Sequence, residues 1–246
     1  RARYNAVSLR WERRLHDNWS LNANYTHSLL KDNQFGESNQ YVSRLGSALD
    51  NYNLGGEFSE SLLNVPHRLN VSGTFVLPFG AGQRWLQNGV ANALLGGWSV
   101  SAAGRYQNGF PISVWQASNN SGLLGSTQRP NLVEGVALAT SGSLDERLNA
   151  WINAAAFTAA PAFTLGNAPR TLPGLRTPGQ RNTDISVQKA VSFHGKTVAL
   201  RADVLNAFDN PLFSGPVTTF GTANFGQITT VNGLARSVQF QARVSF

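Results

Sequence analysis

The sequence contains no cysteine and no methionine among its 246 residues, and only 13% of them are charged. Without cysteine there is no disulfide framework, no thiol chemistry and no cysteine-based metal site. No run of about 18 apolar residues exists, which excludes a transmembrane helix and leaves a barrel of strands as the one way to cross a bilayer. Methionine is missing even at position 1, and no signal peptide is present, so the chain is expected to belong to something longer. The low charge is about half the usual share for soluble domains. With 41% hydrophobic residues and 10% aromatics, the chain is nevertheless far from a disordered composition.

The net charge of +7 raises the question of a nucleic-acid partner. The basic residues Arg10, Arg68, Arg105, Arg201 and Arg243 are spread singly along the chain and form no Lys/Arg cluster. They sit on the polar side of alternating segments, so nucleic acid is not expected, and an aqueous lumen accounts for them better.

What the chain does have is alternation. In Arg236–Phe246, Val238, Phe240, Ala242, Val244 and Phe246 fall on one face, while Ser237, Gln239, Gln241, Arg243 and Ser245 fall on the other. The last strand of a soluble sandwich alternates in the same way, but a length of roughly 10 residues is about what a tilted strand needs to cross a bilayer, which favours the membrane barrel. The same pattern recurs in Tyr4–Arg14, in Trp19–Thr26 and in His67–Leu77. It returns from Trp98 to Gln107, then in Asp184–Phe193 and Thr197–Phe208. These give about seven spanning strands, an odd number, whereas single-chain bacterial barrels have even numbers.

The connections alternate as well. Turns at 15–18, 78–97 and 194–196 are matched by long connections at 31–65, 109–182 and 209–235, with a short helix expected within Gln83–Leu95 and a small hairpin around 227–230. Short turns at one end and long loops at the other are the habit of outer-membrane barrels, and soluble sandwiches show no such order. On this reading 1–246 is a single barrel segment with its turns periplasmic and its long loops extracellular. Trp11 and Trp19 near one turn fit an aromatic girdle. The stretch Gly109–Arg181 holds six of the ten prolines and is expected to be an ordered loop.

A family resemblance rests on an ordered set of short motifs. They are Tyr4-Asn-Ala6, His67-Arg68, Leu77-Pro-Phe-Gly80, Leu94-Leu-Gly-Gly-Trp98, Gly109-Phe-Pro111, Arg129-Pro-Asn131, Trp151-Ile-Asn153, Ala156-Phe157, Gly166-Asn-Ala168, Pro178-Gly179, Asn206-Ala-Phe208, Asn224-Phe-Gly226 and the terminal Phe246. Along nearly its whole length the chain resembles TonB-dependent receptor-like outer-membrane proteins, of the Oar-like type with a carboxypeptidase-regulatory-like domain. The resemblance implies an all-β antiparallel transmembrane barrel of about 22 strands, of which this chain would be the C-terminal part. It implies outer-membrane lipid, the barrel assembly machinery and, through an N-terminal plug absent here, the TonB system as partners. Phe246 would be the assembly signal. The implied function is binding or import of a ligand such as a glycan, with a structural or adhesive protein as the alternative; the ligand itself is not identified.

No enzyme is expected, because no G-x-S-x-G elbow appears and the acid pairs Asp145/Glu146 and Glu57/Glu60 read as solvated loop faces. No cofactor or metal is expected either, since His16, His27, His67 and His194 fall in separate turns and strand ends. Asp184, Arg201, Asp203 and Arg243 are expected to form a lumen salt-bridge network. Trp115 and Trp151 are the candidate ligand-stacking residues.

Overall fold

A computed structural model describes residues 1–35, 47–123, 127–193 and 195–246. Seven long strands carry it: β1 (Ala2–His16), β2 (Trp19–Asp32), β3 (His67–Val76), β4 (Trp98–Gln107), β5 (Gln180–Phe193), β6 (Lys196–Leu205) and β7 (Ser237–Ser245). They form one antiparallel meander in which every strand pairs with its neighbour in the chain. The sheet is open: among the described residues the outer edges of β1 and β7 pair with nothing.

The register keeps the alternation in phase across the whole sheet. Trp11 stands opposite Ala23, Ala23 opposite Val71, and Val71 opposite Gly104. Val100 meets Val187, Val187 meets Ala202, and Ala202 meets Phe240. A slip of one residue anywhere would turn a strand's apolar side over, so this pairing is strongly specified. The result is one continuous apolar face and one continuous polar face.

The strand ends differ from the sequence expectations in physically simple ways. The first turn is only Asp17-Asn18, both at positive φ (49° and 72°), the geometry of a tight hairpin whose twist matches its strands. β2 runs on to Asp32 because Ser59-Glu60 pairs back onto Lys31-Asp32, so the first long connection starts later than position 31. β6 stops at Leu205, three residues short of Phe208, where Asn206 takes a positive φ and leaves the ladder. No strand forms at 227–230: that stretch bonds to 214–217 through single contacts such as Ser214 N to Thr230 O and Val217 N to Gln227 O. The turn residue His194 lies outside the described residues.

At the short-turn end, the connection between β3 and β4 folds around helix α1 (Gly89–Leu95). At the opposite end the three long connections pack together as a cap. Its core is Ile112, Val114, Trp151, Ile152, Ala156, Phe157, Leu172, Leu175 and Ile228, drawn from two of the three connections. Helix α2 (Leu144–Asn149) begins with a capping box in which Ser143 and Glu146 satisfy each other's backbone donors. Trp115-Gln116 pairs in parallel with Thr219-Phe220, and Asn131-Leu132 pairs with Phe157-Thr158. Gly109 is where the chain enters the cap: a Cβ there would lie 1.7 Å from the Thr177 carbonyl oxygen, so no other residue fits.

Candidate functional site

The apolar face is built from residues that would normally be hidden. Phe240 is 81% exposed, and Val7, Leu9, Trp11, Leu200, Val238 and Val244 are exposed too. A contiguous apolar surface of this size on an isolated chain marks a contact with something apolar. Its two ends are marked by amphipathic rings. At the short-turn end, cations lie over tryptophans: Arg13 over Trp19 at 4.0 Å and Lys189 over Trp98 at 5.0 Å. Toward the cap, the Tyr25 hydroxyl meets His67 Nδ1 at 2.8 Å and the Tyr106 hydroxyl meets Thr183 Oγ1 at 2.6 Å. Trp98 and Tyr106 are eight positions apart on β4. That is about 26 Å along a strand and about 20 Å of height at the usual barrel tilt, close to the apolar band of an outer membrane.

The polar face carries Glu12, Asn22, Ser72, Ser101, Asp184, Arg201 and Asp203 around a groove of about 500 Å³. Ion pairs here run along single strands, Arg10 to Glu12 at 2.6 Å and Arg201 to Asp203 at 2.8 Å. The expected four-residue network does not form. Asp184 instead accepts from Asn182 Nδ2 at 3.1 Å and from the Asn206 backbone N–H at 2.8 Å, which fixes the exit of β6 into the cap. Among the described residues no ion pair joins Arg243 to these groups. A surface of hydroxyls, amides and isolated charges can bind hydrated polar molecules through many weak hydrogen bonds.

Among the described residues three ion pairs of one design hold the cap: every arginine comes from the second long connection, and the carboxylates come from the end of β2 (Asp32) and the first long connection (Glu57 and Glu60). They are Arg129 with Glu57, Arg170 with Asp32, and Arg176 with Glu60. Arg170 is fully buried, and all its nitrogens donate: Nε to Glu57 O (3.0 Å), Nη1 to Gln34 O (2.9 Å), Nη2 to Asp32 Oδ1 (2.6 Å). Burial lowers the Arg129 pKa, and the hydrogen bond that Arg129 donates to Glu57 opposes that shift. Glu57 and Glu60 are therefore not solvated loop acids, as expected from the sequence, but anchors between connections. Long-range pairing of this kind has no sequence period, which is why it escapes a reading based on alternation; the arginine in Arg129-Pro-Asn131 was the one visible trace.

The candidate ligand residues separate. Trp151 lies in the cap core at 7% exposure, its Nε1 donates to Arg176 O at 2.6 Å, and Arg147 covers its ring at 4.1 Å. Its ring therefore has no open face for a ligand, and packing explains it. Trp115 is half-buried, with Nε1 donating to Thr219 Oγ1 at 2.7 Å. Phe246 projects from the end of β7 at 98% exposure. Glu146 belongs to the α2 capping box, and hydrogen bonds from the Ser143 backbone and hydroxyl lower its pKa. His27 and His67, separate in sequence, stand opposite each other on β2 and β3 with ring centroids 4.7 Å apart. Among the described residues no group of three or more His, Asp or Glu is placed to hold a metal ion.

Compared with known families, residues 1–239 match the model of an outer membrane beta barrel domain. No curated protein matches the chain.

Proposed function

Because the chain belongs to the outer membrane beta barrel domain family and resides in the outer membrane, we propose that it forms the barrel wall of a TonB-dependent receptor-like protein that binds or imports a ligand such as a glycan. The observation that carries this reading is the pairing of a polar, groove-bearing sheet face with a folded cap at one of its ends. A solute bound at the cap has the hydroxyl- and amide-lined face beneath it. The open sheet supports the larger barrel: both unpaired edges need partners, and further strands toward a total of about 22 would supply them.

In this reading the apolar face meets lipid, the cap is extracellular, and the short turns are periplasmic. The barrel assembly machinery engages the last strand at Phe246, whose removal should lower the outer-membrane level of the protein. The TonB system acts through a plug outside this chain. The protein is not an enzyme and takes no cofactor. Trp115, half-buried in the cap, keeps surface for a ligand.

One observation favours a second reading. The cap is locked by buried ion pairs, and a rigid surface of that kind suits adhesion or partner binding without transport. Both readings share one orientation, which a membrane-impermeant maleimide tests on intact cells. A cysteine at the exposed Ser141 should label, and one at Gly195 should not; the reverse would remove both readings. Ser121, on the same connection, is buried and unsuited to the test. Solute uptake lost in Arg201→Glu with surface binding retained would separate import from adhesion.

A further inference from the structure

The segment between β3 and β4 is short of acidic residues and rich in exposed apolar ones. From Pro78 to Gly97 it contains no Asp or Glu and a single cation, Arg84. Val90 is 76% exposed and Leu94 64%, and Trp85, Leu86 and Leu95 are also exposed. Val90 and Leu94 are four apart on α1, so they share one side of the helix.

These side chains are not exposed because the segment is loose. Gly80 N donates to Trp85 O at 2.9 Å, Trp85 N to Pro78 O at 3.1 Å, and Ala81 N to Asn92 Oδ1 at 3.1 Å. Gly96 packs so closely on Gly80 that a Cβ would lie 2.8 Å from the Gly80 Cα. The fold therefore spends fixed hydrogen bonds on holding an apolar surface outward.

Its position says what covers that surface. Lys189 and Trp98 are a cross-strand pair on the apolar face of the sheet. Lys189 Nζ donates to Ala93 O and Leu94 O, both at 2.8 Å, and Trp98 Nε1 donates to Leu94 O at 2.9 Å. The C-terminal turn of α1 thus sits on the same side of the sheet as Val100, Val187 and Phe240. A lysine on a lipid-directed face is costly unless its ammonium reaches polar atoms, and here the carbonyls of α1 supply them. Arg84 over Trp85 at 5.2 Å adds a third tryptophan–cation pair at this end, beside Arg13–Trp19 and Lys189–Trp98. Tryptophan with a neighbouring cation is the pattern of residues at a membrane–water boundary.

We infer that residues 84–95 are an interfacial anchor that lies in the phospholipid leaflet at the short-turn end, with Trp85, Leu86, Val90, Leu94 and Leu95 inserted. The inference rests on the lipid-facing assignment of the sheet and extends that surface beyond the strands. The lack of acidic residues suits contact with neutral and anionic headgroups, and the helix would lie flat, as amphipathic interfacial helices do.

The absence of cysteine from these 246 residues allows single probes within them. Val90→Cys and Leu94→Cys, each carrying a fluorophore, are compared with Leu200→Cys on the apolar face and Ser141→Cys in the cap. The protein is reconstituted in phosphatidylethanolamine/phosphatidylglycerol vesicles with brominated acyl chains. Expected are lipid quenching at 90 and 94 comparable to that at 200, and iodide quenching several-fold weaker than at 141. Iodide reaching 90 and 94 as freely as 141 would overturn the anchor, and so would shielding from both quenchers, which would mean a protein partner covers the segment. If Leu200 is quenched by lipid while 90 and 94 are not, the anchor alone falls; if Leu200 is not quenched either, the lipid-facing assignment falls with it.

Discussion

The sheet and the cap solve opposite problems with the same amino acids. In the cap, Ile112 and Val114 are fully buried in a shared apolar core, as in any protein folded in water. In the sheet, Phe240, Leu200 and Val244 face outward and the polar groups line the other side. The difference teaches where each region gets its stability. The cap buries its own apolar surface and adds ion pairs between connections, whereas the sheet has its ladder hydrogen bonds and leaves its apolar surface to an external apolar phase.

If that contrast is right, breaking a cap ion pair should disturb the cap and spare the sheet. Arg170→Ala leaves the buried Asp32 carboxylate without its counter-charge and several carbonyls without the arginine donor, a change worth about 3–5 kcal/mol. Proteolysis or hydrogen exchange should show the connections 47–66 and 108–179 opening while β3 to β7 stay protected. Equal loss of protection in both regions would mean they are one cooperative unit.

The complementary change belongs to the sheet. Phe240→Arg near mid-strand should cost about 2–4 kcal/mol of folding stability in lipid, while Gln241→Arg, one residue on, should cost little. Reversible unfolding from vesicles measures both. Similar costs on the two faces would erase the distinction between them.

The smallest effect sharpens the contrast within the cap. Ser143→Ala removes the α2 cap and should cost about 1 kcal/mol, felt locally. Because the folded pKa of Glu146 is depressed, its contribution is fully present above the ordinary carboxylate value and is lost as the pH falls through the lowered one. Protection of the 143–150 amides, taken relative to their intrinsic exchange rates, should therefore fall on acidification in the native protein and become less pH-dependent in Glu146→Gln. An unchanged acid response in that variant would point to another carboxylate.

The strands were legible because their chemistry is local. Alternation in 236–246 places Phe240 and Gln241 on opposite faces whatever else the chain does, and the rhythm of short and long connections put every long loop at one end. The tight turn at Asp17-Asn18 also lies where the pattern breaks. The cap was legible only as an ordered, proline-rich, aromatic segment. Trp151 could be seen to pack on something, but a flat ring offered to a ligand and a ring sealed under Arg147 look the same in sequence.

By itself, then, the sequence determined the two-faced sheet, its meander order and the end from which the long connections emerge, because period and turn chemistry act between residues a few positions apart. Only the tertiary structure decided that Asp32, Glu57 and Glu60 would meet Arg170, Arg129 and Arg176, that Lys189 would reach the carbonyls of α1, and that Trp151 would be core. Those partners lie some seventy to almost one hundred and forty positions apart, and no local pattern carries which charge or ring will be brought beside which once the connections have folded over the sheet.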